Sequence, residues 1–550
     1  MSGISNSVMS SAERTVQQRW QAQLRSGTAG GITVPGADGG VTLPLAELLG
    51  RAATQAAAWR GLGVQRGDSV LLCLPSGGDL LTGLVAAVLL HAVPSVLAPP
   101  NARMSAEAYG KRIAGIAKRF AGDRRAWCVA RQGADIPGTT ALAIAAELSP
   151  SDPTPWLADH PDPEAPVFLQ HSSGTTGVPK GVVISHRKLI EHLDAYGSHL
   201  GVTAADRIVS WLPWYHDMGM VACLWGSLIW GVSSRHLDNF TWVTKPTTLL
   251  DAVESDRATL VWMPNFAYTM MGRGTRDRSR QLQNVRLWIN CAEPVLADSF
   301  AQFAQRFAAD GVDPASLVGC YGMAENVFAV TQAMQGGTAL RLDRVALEQG
   351  RIVTALDGPA RTLLSCGTAI PGTTVAVLAT GQVTTAENQV GELLIGGAHV
   401  CAAYWRDPEA SAAARHGDWF RTGDLGFVYQ GEVYVIGRSK DLIIVGGRNA
   451  DPTEIEMAAT LPGAIPGRVC CFGIDEVETG TQAIHVAVET ELPQNEHGKL
   501  ILAIKQAVLA ATDHAVRQVW CLPPRTLVKS SSGKLARAEN RNLVLKIRQS

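Results

Sequence analysis

The segment Gln170-His171-Ser172-Ser173-Gly174-Thr175-Thr176-Gly177-Val178-Pro179-Lys180-Gly181 gathers hydroxyls, glycines and one lysine between two apolar runs. Glycine lets backbone N–H groups approach and wrap an anion. Serine and threonine hydroxyls add donors, and lysine adds a compact positive charge. A loop of this composition suits phosphate oxygens and predicts a nucleotide-using enzyme; a glycine-rich turn that binds nothing is the plain alternative. It is not a Walker A loop, which needs Gly-Lys followed by Ser or Thr at the start of a helix. Here Pro179 precedes Lys180 and Gly181 follows it. The apolar runs at 166–169 and 181–184 read as strands. A helical pattern of Leu189, Ile190, Leu193 and Tyr196 begins only after Ser185, which suits an N-cap.

A chain of 550 residues is too long for one core, so two or more domains are expected. Hydrophobic content of 46% is ordinary for a globular protein, and a net charge of −1 gives no field to attract nucleic acid or an anionic membrane. The ten cysteines form no C-x-x-C pair, and the adjacent Cys470-Cys471 fall in an apolar strand pattern. They read as buried free thiols in a reducing, cytoplasmic compartment. The start of the chain lacks the charge and apolar run of a secretory leader, and no Met-Gly start supports myristoylation. The most apolar stretch, 80–100, contains Gly83, His91, Pro94 and Ser95, which fits a buried helix running into a buried strand rather than a membrane span.

Outward from the loop, helical patterns at 45–59 and 80–91 alternate with strand patterns at 69–74 and 94–97, and further strands follow at 208–212, 260–263 and 285–290. That alternation predicts α/β layers with a mostly parallel sheet. From about residue 369 the pattern turns to short β-rich segments at 374–378, 391–395, 423–429 and 432–436. A charged stretch near 437–441 interrupts the apolar run. An α+β segment follows, with helices at 452–460 and 500–511 and strands at 468–473, 483–488 and 518–522. The fold class is thus α/β: a large N-terminal domain, 1–440, of layered α/β subdomains plus a β-rich subdomain, and a small α+β C-terminal domain, 441–550. Residues 1–40 are rich in Ser, Gly and Ala, with a short amphipathic piece at 16–24.

Six further polar motifs sit on apolar ground: Trp214-Tyr215-His216-Asp217-Met218-Gly219, Asn290-Cys291-Ala292-Glu293-Pro294, Tyr321-Gly322-Met323-Ala324-Glu325, Arg421-Thr422-Gly423-Asp424, Gly437-Arg438-Ser439-Lys440-Asp441, and Lys529-Ser530-Ser531-Ser532-Gly533-Lys534 after Pro524-Arg525-Thr526. In this order, together with the first loop, they resemble the acyl-adenylate-forming superfamily of acyl-CoA synthetases, peptide-synthetase adenylation domains and luciferases, over about residues 40–540. The resemblance implies that a carboxylate attacks the α-phosphorus of ATP and pyrophosphate leaves. Such an enzyme must neutralise and align charge rather than generate a nucleophile. It implies that Ser172, Ser173, Gly174, Thr175, Thr176, Gly177 and Lys180 hold the β- and γ-phosphates, and that Glu325, with Thr175, binds Mg²⁺. Cys291, Ala292 and Glu293 flank adenine with Tyr321, Gly322 and Met323, and Asp424 accepts the ribose hydroxyls. Arg438 supports ribose or phosphate, Lys534 is the catalytic lysine of a mobile C-terminal domain, and Lys440 is its hinge. For His216 two readings stand, a packed gate beside the acyl pocket or an acid or base. Arg421 and Lys529 read as solvated or structural. No His or Cys spacing suggests structural zinc.

Within the superfamily, Trp211-Leu212-Pro213-Trp214-Tyr215-His216-Asp217-Met218-Gly219, Pro264-Asn265-Phe266-Ala267-Tyr268, Ala292-Glu293-Pro294-Val295 and Lys440-Asp441-Leu442-Ile443-Ile444 look most like fatty acyl-AMP ligases. Those enzymes pass acyl groups to carrier proteins. The long segment 332–365 matches their insertion, which restrains the small domain and disfavours CoA; a surface loop of no consequence is the alternative. Asn449-Ala450-Asp451-Pro452 departs from the ligases' Asn-His-Tyr-Pro. Trp225, Trp230, Trp242 and Trp262 either shorten the acyl tunnel or pack the core, so a short, aromatic or unusual acid remains open beside a fatty acid. An acyl-CoA synthetase and a non-catalytic nucleotide-binding relative are the competing readings.

Overall fold

The computed structural model describes residues 14–549, apart from 37–38, 101–104, 131–135, 146, 172–178, 275–277, 359, 402, 446–447, 477–480 and 530–532. Among the described residues two mixed sheets form the α/β layers. One has nine strands and runs parallel through Ile32–Val34, Ser233–His236, Arg207–Ser210, Leu260–Met263, Leu287–Asn290 and Leu317–Gly322, with antiparallel strands at both edges. The other has six. Its parallel strands include Ser69–Cys73, Val93–Val96 and Pro166–His171, and Gly181–Ser185 closes one edge antiparallel. Register pairs His171 with Gly181, so the glycine- and hydroxyl-rich segment joins two hydrogen-bonded strand ends. Glycine is required at that return: a Cβ on Gly181 would lie 2.3 Å from the Phe120 ring. Ser185 then caps the helix His186–Leu200 by accepting from the Lys188 amide, as its residue type suggested.

Aromatic packing locks the layers together. Trp225 stacks between Trp20 and Phe168, at 6.1 and 5.8 Å, and so joins the helix Val16–Ser26 to both sheets' elements. The amphipathic N-terminal piece is therefore part of the core. Its polar face is tied down by Arg19, which pairs with Asp194 at 2.9 Å.

Beyond these layers, an antiparallel β-rich unit is built on Thr373–Ala379, Gly391–Gly397, Trp419–Tyr429 and Glu432–Arg438. The segment after it has its own core of residues such as Ile455, Val486 and Ile504. There the helices Pro452–Ala459 and Gln494–Thr512 cover a sheet of Val469–Glu476, Thr481–Glu489 and Val516–Leu522. No helix among the described residues is long and apolar enough to cross a membrane.

Two core histidines make folding pH-dependent. His186 accepts from the Val16 amide, and His236 lies between the Trp214 indole and Ser234, both at 3.1 Å. Burial pushes each imidazole down to about 3, so both stay neutral in the fold. The stability this gives is full above the unfolded value near 6.5 and is lost as pH falls toward about 3. Between about pH 7.5 and 5.5 the pair should lower the unfolding free energy by about 2–3 kcal/mol. Denaturant titrations across that window check this, and a flat profile would contradict it.

Candidate active site

Four polar groups of residues meet around one space. The first rests on the register pair Asp424–Arg438 of neighbouring strands. Asp424 accepts from the Tyr321 hydroxyl at 2.7 Å, and its other oxygen lies 3.2 Å from the Arg438 guanidinium. Burial first, and then the Asp424 charge, push the Tyr321 phenol up, so it remains a donor. Tyr321 ends the strand Leu317–Gly322, and a short turn over Ala324–Asn326 then presents Glu325. Val327 completes that turn with φ 64, a left-handed conformation that is strained for a β-branched residue.

Glu325 belongs to the second group. Its Oε1 accepts from the Tyr404 hydroxyl at 2.8 Å, and the Lys180 ammonium stands 4.6 Å from the Tyr404 ring centre. Burial raises the Glu325 carboxyl above its usual range, with Tyr404 opposing and the Asp217 charge reinforcing. The third group begins at Asp217, which caps the helical turn Met218–Trp225 through the Met218 amide at 2.8 Å and lies 2.9 Å from the His216 Nδ1. Burial disfavours the Asp217 charge, but His216, the Lys534 ammonium and the Met218 amide outweigh it, and the carboxyl sits below its usual range. The charge of Lys534, from the far end of the chain, thus reaches Asp217.

The fourth group is the loop after Leu287–Asn290. Cys291 is buried, and a Cβ on Gly322 would be 3.4 Å from its sulfur, so this loop packs on the Tyr-Gly turn that leads to Met323. Ala292 adopts φ 73. The Glu293 carboxylate accepts from the Phe266 amide at 2.9 Å, which commits it to holding the helix Asn265–Arg273. Ser172, Ser173, Gly174, Thr175, Thr176 and Gly177 lie outside the described residues; Lys180, just after them, is placed beside Tyr404.

Sequence reasoning missed three members. Tyr404 was not singled out, and Asp217 was quoted without a role. Arg537, three residues after Lys534, begins the last helix and pairs with Glu456 at 2.7 Å and with Asp441 at 3.4 Å. It ties the lysine's segment to the exposed turn Ser439–Asp441 that carries Lys440. Arg421 pairs with Glu392 at the surface, a structural role as read.

The segment 332–365 is not an inert loop. Its strands Ala339–Asp343 and Ala360–Leu364 form an antiparallel ribbon that carries the helix Arg344–Glu348. Arg344 pairs with Glu454 at 2.5 Å, Arg361 pairs with Asp451, and Glu348 accepts from Arg448 at 2.9 Å. His514 lies 3.7 Å from Glu348. These pairs flank a cleft of about 260 Å³ between the ribbon, the β-rich unit and the last hundred residues. The departure at Asn449-Ala450-Asp451-Pro452 is explained: Asp451 caps the helix Pro452–Ala459 and receives Arg361.

Residues 32–405 match the family described as AMP-binding enzyme. The chain belongs to the AMP-binding enzyme family. Over 526 residues it is 31% identical to a protein of Caulobacter vibrioides provisionally named an acyl-CoA synthetase, covering 92% of this chain and 90% of that one. It is 30% identical over 404 residues to the medium-chain-fatty-acid–[acyl-carrier-protein] ligase TtuA of Teredinibacter turnerae, covering 68% of this chain and 62% of TtuA. A structure from a study of fatty acyl-adenylate ligases from E. coli and L. pneumophila superposes with a TM-score of 0.86 at 26% identity, covering 98% of this chain and 99% of that one. The AMP-binding match takes in Lys180, Glu325 and Tyr404, while Asp424, Arg438 and Lys534 lie beyond it.

The tryptophans divide between the two readings in favour of packing. Trp225 is enclosed in its stack, and Trp262 donates to the Tyr196 hydroxyl at 3.1 Å. Trp225→Ala should therefore cost about 3–5 kcal/mol of stability and leave acid preference unchanged. Thermal melts and a chain-length series check this; an unchanged melt with longer acids accepted would contradict it.

Proposed function

We propose that this chain activates a carboxylic acid with ATP to an acyl-adenylate, releasing pyrophosphate, and then delivers the acyl group to a carrier protein. A carboxylate oxygen bonds to the α-phosphorus as the α–β phosphoanhydride bond breaks, and pyrophosphate takes the electron pair. Both reactants are anions, so cationic donors in a preorganised site lower the barrier. The observation that carries the reading is the convergence of Lys180, Arg438 and Lys534 with Asp424, Glu325 and Asp217 around one space.

In this reading Lys180 and the hydroxyls from Ser172 to Thr176 hold the terminal phosphates. Tyr321 and the backbone of Cys291–Glu293 and Gly322–Met323 line the adenine. Asp424 receives the ribose with Arg438 beside it. Lys534 meets the α-phosphate and the incoming carboxylate, and His216, held by Asp217, borders the acid. Residues 1–440 bind ATP and acid, and 441–550 form the mobile domain hinged at Lys440. The setting of Glu325 fits Mg²⁺: its charge is disfavoured by burial, it offers hard oxygen donors, and no ion pair to it exists among the described residues. Mg²⁺ there, with Thr175, would neutralise charge developing on the phosphates. Burial of nine of the ten cysteines as free thiols suits a cytoplasmic enzyme.

The name of the Caulobacter relative favours CoA as acceptor, whereas the TtuA name and the ion pairs of 332–365 favour a carrier protein. A ribbon pinned to the mobile domain lowers the population of the arrangement that admits CoA. Pyrophosphate release over a panel of acids, with mass detection of the adenylate, tests the activity. Wild type should accumulate acyl-AMP or load a carrier protein. Arg361→Ala with Arg448→Ala should raise CoA thioester formation about five-fold or more while pyrophosphate release stays within about two-fold. Rapid thioester formation by the unmodified enzyme would overturn the carrier-protein reading.

A further inference from the structure

Lys180 and Glu325 carry opposite charges and both contact Tyr404, yet no ion pair joins them among the described residues. Between them stands Tyr404, with its hydroxyl on the Glu325 carboxylate at 2.8 Å and its ring 4.6 Å from the Lys180 ammonium. A direct Lys180–Glu325 pair would satisfy each charge with the other and leave both poorly placed for a substrate. The phenol gives each a neutral partner instead: a donor for the carboxylate and a π face for the ammonium.

The backbone fixes this placement. The Trp405 amide donates to the Gly181 carbonyl at 2.7 Å, the Val183 amide donates to the Ala403 carbonyl, and Val182 bridges to Tyr404. The segment is thereby annealed to the strand that follows Lys180. On its other side the Cys401 amide donates to the Glu325 carbonyl at 2.7 Å. Ser411 accepts from the Tyr404 amide at 2.9 Å, and the ring, 8% exposed, packs edge-on against Phe420. A short run of chain thus registers the strand that follows Lys180 against the Glu325 turn, and Tyr404 extends that registration to the two charges.

We propose that Tyr404 is a positioning residue of the reaction: it keeps Lys180 and Glu325 apart and aims each at the triphosphate and its cation. This rests on the adenylation reading above. The hydroxyl and the ring have separable tasks, so two variants test them. The readouts are pyrophosphate release against Mg²⁺ concentration and calorimetric binding of α,β-methylene-ATP with Mg²⁺ or with EDTA.

Tyr404→Phe keeps the ring and its packing. It should raise the Mg²⁺ needed for half-maximal rate about ten-fold and shrink the Mg²⁺-dependent gain in analogue affinity, with affinity in EDTA within about two-fold of wild type. Tyr404→Leu should in addition weaken analogue binding in EDTA about five-fold, because Lys180 loses its seat. Placed on Glu325→Gln, Tyr404→Phe should add less than about two-fold, since its effect passes through that carboxylate. A Tyr404→Phe enzyme with wild-type Mg²⁺ response, or an equal loss in the Glu325→Gln background, would overturn the proposal. Failure of the wild type to form an adenylate from any acid would sink the adenylation reading alone, and the analogue-binding comparison would still decide for or against Tyr404.

Discussion

The pull of the Lys534 charge on Asp217, exerted from one core onto the other, is the interaction on which the proposed site depends. Lys534 comes from a unit with its own core, whereas Asp217 belongs to the large α/β layers. A lysine alone on a surface contributes little to chemistry; in the proposed reaction, one within electrostatic reach of a half-buried carboxylate supplies positive charge where two anions must meet. Everything else described around the site keeps that meeting possible. Arg537, bidentate on the half-buried Glu456, holds the start of the last helix. Arg537 also reaches Asp441 at 3.4 Å, which links the start of that helix to the turn that carries Lys440.

The site follows one electrostatic plan. Each carboxylate is given a partner that orients it without cancelling the charges the substrates will meet. Asp424 is held by a tyrosine hydroxyl and a half-exposed arginine, Glu325 by a tyrosine hydroxyl, and Asp217 by a backbone amide and a histidine. Beside the Asp424–Arg438 pair in the site, a cluster of arginine–carboxylate pairs lies where the ribbon of 332–365 meets the last hundred residues. In the proposed reading they bear on how the last hundred residues are held against the rest of the chain.

Much of this was legible in the sequence. Alternating apolar patterns located strands such as Leu260–Met263 and helices such as Leu45–Gly61, because buried α/β elements carry strong periodicity. The small unit's three strands and two of its helices were read to within a few residues, though Gln494–Thr512 begins earlier than its apolar pattern, since its first turns are exposed. Motif order pointed to the tyrosine, the acids and the terminal lysine. The Tyr404 contacts were not legible, since they join positions 79 and 224 residues away, and no local pattern encodes that. The fate of Trp225 was undecidable for the same reason: a tunnel wall and a core stack demand the same side chain, and only the positions of Trp20 and Phe168 choose between them.

The central claim is that Lys534 acts in adenylate formation from a domain that must move away for the second step. Its most direct test separates the two half-reactions in Lys534→Ala, with pyrophosphate release for the first and acyl transfer from supplied acyl-adenylate for the second. The account predicts that the first falls by about 10²-fold or more while the second changes little. An equal loss in both steps would contradict it.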